Sequence, residues 1–480
     1  MKHFLLLAIC VTTALPALSQ NRKAVEKMKE QASRNILDDR DAYEATALKI
    51  WDLAEVGYKE ERSAALLQEM LRSHGFRVTT GVAGIPTAFV AEYGSGSPAI
   101  GILAEYDALP GLAQMAVPER KPIEGARAGH ACGHHLFGTA SVAAAIAIKD
   151  LIDKGSLSGT VKLFGCPAEE GGSGKVYMVR AGLFDGLDAV IHWHPGDRNE
   201  VTLTSALANR SAKFRFYGIA AHASSAPEKG RSALDAVEAM NFMTNLMREH
   251  MPQEARIHYI ITHGGTAPNV VPDFAEVYYY VRHPDKDVVK DLFARVEDAA
   301  KGAAMGTGTK TDYEIIGGTH DLLINRTLAR VAQTNLEHVG GVQYTAEEIA
   351  FGKKIQETLT SPPDITRAAT IVPFEAERKE GIASTDVGDV SYAVPTVGVR
   401  IATWVPGTPA HSWQAVACGG MSIGLKGMIV AARTMALTAI DLYTHPQILV
   451  EAKKEYASAV GDYKYEALLG DREPALDYRD

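Results

Sequence analysis

Gly129-His130-Ala131-Cys132-Gly133-His134-His135 gathers three histidines and a cysteine within six residues. Imidazole nitrogen and thiolate sulfur are donors for zinc-like cations, so this is a metal-ligand composition. Cys166-Pro167-Ala168-Glu169-Glu170-Gly171-Gly172 adds two adjacent carboxylates. On irregular backbone such neighbours can diverge in role, one to a cation and one to a water. Further donors stand in Leu103-Ala104-Glu105-Tyr106-Asp107-Ala108-Leu109-Pro110, in Ile191-His192-Trp193-His194-Pro195, and at His411 in Pro409-Ala410-His411-Ser412-Trp413. Each segment alone also has a bland reading, as a helix start, a solvated acidic pair or a structural histidine. Jointly they supply what metal-assisted hydrolysis needs: cations to activate water and a carboxylate to move its proton. Gly174-Lys175 hints at a phosphate loop, but the glycine five residues earlier and the Ser/Thr after the lysine are missing.

Several of these segments directly follow apolar, strand-like runs. Ala99 to Ala104, Val161 to Phe164 and Ala189 to Ile191 read as buried strands, with an Ala-rich helix from Leu136 to Leu151 between them. Strands alternating with helices predict an α/β fold with a mostly parallel sheet, and open sheets of this kind place their sites at the strands' C-terminal ends. Asn21 to about Gly75 reads as helical. From about 210 to 318 the order changes to β-α-β-β-α-β, the split unit of ferredoxin-like α+β domains. The large-domain pattern resumes with a strand at Thr396 to Ile401 and a helix from Gly424 to Tyr443, so the smaller domain is an insertion. The expected division is a signal segment 1–19, a first large-domain part 20–209, the insertion 210–318, and a second part with a C-terminal tail 319–480. The tail from Glu451 is charged and carries no motif.

The chain has 480 residues, 46% hydrophobic, with a formal net charge of −9. That excludes a disordered or collagen-like chain and gives no basic footprint for nucleic acid. Lys2, the apolar run from Phe4 to Leu15, and Ala17-Leu18-Ser19 read as a signal peptide cut after Ser19. The run is too short for a bilayer anchor, which takes about 20 residues, and no later uninterrupted apolar run reaches that length. The expectation is a periplasmic or secreted protein without a membrane anchor. Removal of Cys10 leaves Cys132, Cys166 and Cys418, an odd number, so at least one thiol stays unpaired, bridges chains or binds something.

Glu105-Tyr106-Asp107-Ala108-Leu109-Pro110, the Gly-His-Ala-Cys-Gly-His segment, Pro167-Ala168-Glu169-Glu170-Gly171 and His411 resemble, in combination and order, the metallopeptidase family of aminoacylase, glutamate carboxypeptidase and hippurate hydrolase. The run from Ala104 to Gly111 and Trp193-His194-Pro195 are most similar to its p-aminobenzoyl-glutamate-cleaving branch. The resemblance covers about residues 40 to 445. It implies a zinc-peptidase-like domain with an inserted lid and dimerisation domain. It implies Cys132, His134, Glu170, His194 and His411 as ligands of two divalent metal ions, Glu169 as general base, and Asp107 as the residue that orients a ligand. His192 competes with His194, although Trp-His-Pro favours His194. His135 departs from the Asp or Asn usual in relatives. His222 matches a histidine that reaches a neighbouring subunit's site. Asn269 matches a substrate-approaching loop, and Arg282 could pair with a substrate carboxylate; both equally well cap turns or solvate the sheet. A thiolate ligand favours zinc, while mixed His/Glu ligation leaves manganese open.

The implied activity is hydrolysis of an N-acyl or aryl-acyl amino acid such as p-aminobenzoyl-glutamate, by a homodimer or with a homologous second subunit. A dipeptidase or aminoacylase of the same family is the alternative, followed by a non-catalytic metal-containing binding protein. A cysteine hydrolase using Cys132 fits less well, because the cysteine lies among histidines with two glutamates available.

Overall fold

The computed structural model describes residues 22–375 and 381–479; the expected signal segment lies outside the described residues. Strands run β1 (Arg77–Thr80), β2 (Phe89–Ser95), β3 (Ala99–Ala104), β4 (Leu109–Pro110), β5 (Ala128–Gly129), β6 (Gly159–Gly165), β7 (Ala189–Gly196), β8 (Glu200–Val201), β9 (Ala208–Tyr217), β10 (Arg256–His263), β11 (Phe274–His283), β12 (Lys310–Thr319) and β13 (Thr396–Ala402). Three helices, 22–38, Arg40–Leu53 and Glu61–Ser73, precede them.

The large sheet has the order β1-β2-β6-β3-β7-β13-β8. Its central strands β6, β3, β7 and β13 are parallel. The outer strands β1, β2 and β8 pair antiparallel, so the sheet is mixed around a parallel centre. The central strands are buried almost throughout, as expected of parallel strands covered on both faces.

Helices His134–Asp153 and Ser422–Thr444 pack against each other and against the central strands. Both are apolar nearly all round and mostly buried, which is the pattern of a core helix. Among the described residues these two are also long and apolar enough to span a bilayer. Neither is an uninterrupted apolar run, since Lys149, Asp150 and Asp153 interrupt the first and Lys426, Arg433 and Asp441 the second, and both are mostly buried inside the protein.

The inserted unit forms a separate antiparallel sheet of order β10-β11-β9-β12. Strand β11 alternates between buried and half-buried residues along its whole length. Helices Ala233–Met247 and Lys286–Thr307 cover the buried face, around Phe214, Phe216, Tyr279 and Phe293. Ser232 caps the first helix, its Oγ accepting the Asp235 N–H at 3.1 Å. The chain enters and leaves this unit side by side: Asn209 pairs with Thr319 in the sheet, and Asn209 Nδ2 donates to Thr319 Oγ1 at 2.7 Å.

Candidate metal centre

Parallel strands end on one edge, and the chemistry-bearing segments collect there. β3 runs into Glu105 and Asp107, β6 into Glu169 and Glu170, and β7 carries His194 near its end. Helix 134–153 starts at the same edge, with Gly133 in the left-handed region at φ +75°. A Cβ on Gly133 would lie 2.7 Å from Pro195 Cβ, so glycine lets the Cys132–His134 turn close against His194-Pro195. His411 is also left-handed, at φ +57°, and its N–H donates to the Ala131 carbonyl at 3.0 Å. That bond draws the loop after β13 to the cysteine turn.

Donor atoms of Cys132, His134 and His194 lie within 4.8 Å of one another, as do those of Cys132, Glu170 and His411. The two groups share the Cys132 sulfur. Sγ is 3.4 Å from His194 Nε2, and Glu170 Oε1 is 2.9 Å from His411 Nε2. A third group joins Glu105, His134 and Glu169. All five expected ligands and the expected base thus meet at one edge. Of the rival histidines, His194 joins the cluster. Burial and the Lys175 charge push His192 down to about 3, so it is neutral, and it stands in none of the groups.

Supporting bonds fix which nitrogen faces the centre. His134 Nδ1 lies 2.8 Å from Asp107 Oδ1, and Asp107 Oδ2 accepts the Glu170 N–H at 2.9 Å. His194 Nδ1 lies 2.7 Å from the Pro195 carbonyl. Each ring donates from Nδ1 to an oxygen, which leaves its Nε2 lone pair pointing into the cluster. His134 Nε2 lies 3.1 Å from Glu105 Oε2, and Glu170 Oε1 lies 2.9 Å from His411 Nε2, but His134 Nε2, Glu105 Oε2 and Glu170 Oε1 are buried without a well-directed hydrogen bond. Such atoms cost about 1–3 kcal/mol each when left so, and all three are lone-pair donors. Divalent cations fit this donor set.

The charges of the centre act strongly on one another. Burial, then Glu105 and Glu170, push the Glu169 carboxyl well above the usual range. Burial opposes the charged form of His134, but Cys132, Asp107 and Glu105 outweigh it and raise the imidazole. Burial, then Glu170, raises the Cys132 thiol, which disfavours a free nucleophilic thiolate. The three cysteines among the described residues, Cys132, Cys166 and Cys418, are buried free thiols.

One feature of the centre has no motif. Lys175 is fully buried, its Nζ 2.7 Å from Glu105 Oε1 and 2.7 Å from Asp386 Oδ1, and its N–H donates to Asp386 Oδ2. It neutralises a carboxylate beside the cluster. His130 and His135 are structural: their Nε2 atoms meet the carbonyls of Ile50 and Gly419, each at 3.0 Å. His222, Asn269 and Arg282 do not join the centre within one chain. His222 is exposed on the inserted unit, its Nδ1 accepting the Ser224 and Ser225 N–H groups at 3.2 Å. The neighbouring Asn269 carbonyl accepts the Ala223 N–H at 3.0 Å. Arg282 lies over the Tyr280 ring at 5.0 Å.

Residues 208–307 match the model of the M20 peptidase dimerisation domain. The chain is 41% identical over 453 residues to one of the subunits of the p-aminobenzoyl-glutamate hydrolase of Escherichia coli, covering 89% of this chain and 94% of that protein. It belongs to the M20 peptidase family. Another relative of this M20 chain is the Xaa-Arg dipeptidase of Mus musculus, 29% identical over 449 residues, covering 90% of this chain and 93% of that one. A dinuclear metal-binding M20 peptidase of Bacillus subtilis shares the fold, with a TM-score of 0.56 at 18% identity over 84% of this chain and 98% of that one. As an M20 member the chain is a metal-dependent amidohydrolase.

Proposed function

We propose that this M20 enzyme cleaves the amide of an N-acyl or aryl-acyl amino acid, with p-aminobenzoyl-glutamate or a close analogue as substrate. The observation that carries the reading is the pair of donor groups sharing Cys132, with Glu169 beside them. The identity to a relative named as part of a p-aminobenzoyl-glutamate hydrolase supports the substrate class.

Cys132, His134 and His194 would hold one cation, and Cys132, Glu170 and His411 the other. Bound there, zinc or manganese would lower the pKa of a water and offset negative charge on the amide oxygen. The cysteine favours zinc, and the His/Glu remainder accommodates manganese. Glu169 takes the proton of the attacking water on its carboxylate and returns it to the leaving nitrogen. Asp107 holds His134 and the Glu170 backbone in register with one carboxylate.

Dimerisation through the inserted unit belongs to this reading. Its support is an edge strand, β10, with exposed Ile260 and Ile261, beside a helix that exposes Phe242 and Leu246. A partner across that face would bring a second copy's His222 and Asn269 towards the centre. Two relatives are named as different subunits of one Escherichia coli hydrolase, which makes a homologous second chain the other arrangement. Export to the periplasm or beyond rests on the sequence of residues 1–19.

The test is metal analysis of the purified protein with a hydrolysis screen of p-aminobenzoyl-glutamate, N-acyl amino acids and dipeptides. Glutamate release with bound metal is expected. Metal binding without hydrolysis across the panel overturns the reading.

A further inference from the structure

Residues 461–479 follow the last helix, Pro446–Val460, and pass four places in turn. Tyr463 Oη lies 2.8 Å from His320 Nε2, and Tyr465 Oη donates to Asp389 Oδ1 at 2.8 Å, where the chain returns from β12 to the large domain. Leu469 is buried in an apolar cluster with Tyr58, Ala168, Val176 and Tyr177. Arg472 Nη1 donates to the carbonyls of Ile315 and Ile316 on β12, both at 2.6 Å. Tyr478 Oη and Arg479 Nη2 then donate to one and the same acceptor, the Glu170 carbonyl, at 3.2 and 2.6 Å.

That acceptor belongs to a loop that needs holding. Between β6 and helix Gly174–Arg180, Ala168 and Ser173 sit in the left-handed region, at φ +56° and +61°, where side chains other than glycine are disfavoured. Glu60 Oε1 accepts the Ala168 N–H at 2.8 Å, Tyr58 Oη donates to the Gly172 carbonyl at 2.7 Å, and Asp107 accepts the Glu170 N–H. The carbonyl of Glu170 is left to Tyr478 and Arg479. The Tyr478 ring meets Tyr58 edge-on at 5.5 Å between centroids, and the Arg479 guanidinium lies 4.8 Å from the Tyr478 ring centroid. Both donors are therefore themselves oriented. A ligand site keeps its geometry only when the groups behind it are fixed.

We infer that residues 461–479 form a strap, and that Tyr478 and Arg479 are positioning residues for the Glu169-Glu170 loop. The inference rests on the reading of Glu170 as ligand and Glu169 as base. The strap also ties that loop to β12, so it couples the geometry of the centre to the seating of the inserted unit.

The test compares the full-length enzyme with the double variant Tyr478→Phe/Arg479→Ala, with Arg479→Lys and with Glu170→Gln. Zn²⁺ affinity is read by competition with a chromophoric chelator, kcat and KM on p-aminobenzoyl-glutamate, and stability by thermal unfolding. The double variant is expected to weaken Zn²⁺ binding by about tenfold or more, the usual cost of losing groups behind a ligand. Its kcat falls with little change in KM, and Arg479→Lys recovers most of both losses. A lower unfolding temperature with unchanged Zn²⁺ affinity and kcat overturns the inference. Retained affinity in Glu170→Gln defeats the ligand assignment instead, whereas loss there beside an unchanged double variant defeats the strap alone. Should the double variant not fold, Tyr478→Phe, which removes only the hydroxyl, is read by the same criteria.

Discussion

Cys132 is the one side chain common to both ligand groups. Cys166 and Cys418 are equally buried and belong to neither. Cys132→Ala should therefore lose both cations and the activity, while Cys166→Ala and Cys418→Ala keep their metal. Metal analysis after gel filtration checks this; full metal content in Cys132→Ala would refute the shared role. The residues of the cluster are legible in the sequence because each stands in a short motif of donor types, and short motifs survive without knowledge of the fold. The contact of Lys175 with Glu105 and Asp386 is not. Their pairing joins three segments far apart in the chain, and a lone lysine reads as solvated because burying one unpaired is so costly. Tyr478 and Arg479 are illegible for a related reason: their target is a backbone carbonyl, which carries no sequence signal.

At the scale of elements, apolar periodicity and turn residues fix the strand and helix order, and parallel pairing follows from the alternation of the two. The antiparallel edges β1, β2 and β8 are less visible, being short or half-exposed. Helix 134–153 shows how tightly an element is tied to the centre it serves. A Cβ on Gly138 would lie 2.7 Å from the Glu105 carbonyl oxygen and 2.9 Å from Leu67 Cδ1. Alanine is favoured over glycine in helix interiors by about 1 kcal/mol. The clash is with backbone, which has little room to yield, and overpacking costs about 1–3 kcal/mol. Gly138→Ala is thus expected to be net destabilising despite its better helix propensity. Urea unfolding checks the sign; a stabilised variant would mean that β3 and the helix can separate.

At the scale of the whole molecule, the inserted unit displays His222 and Asn269 on exposed loops away from their own chain's ligands. If a partner supplies His222, each active centre is built from two chains. Inactive His222→Ala and Glu169→Ala proteins, mixed after dissociation, should then recover about a quarter of the parent activity. That figure follows from one intact centre in each mixed dimer, half of the dimers being mixed under two-fold symmetry. Verified mixed dimers without activity would confine His222 to another role. The paired ends of the insertion carry a separate consequence. Asn209 and Thr319 are sheet neighbours, and residues paired in this way stand only about 5 Å apart. A short turn can close that gap at a small entropic cost. The inserted unit is therefore mounted like an interchangeable cassette: it could be lengthened, trimmed or replaced while the chain of the large domain keeps its route.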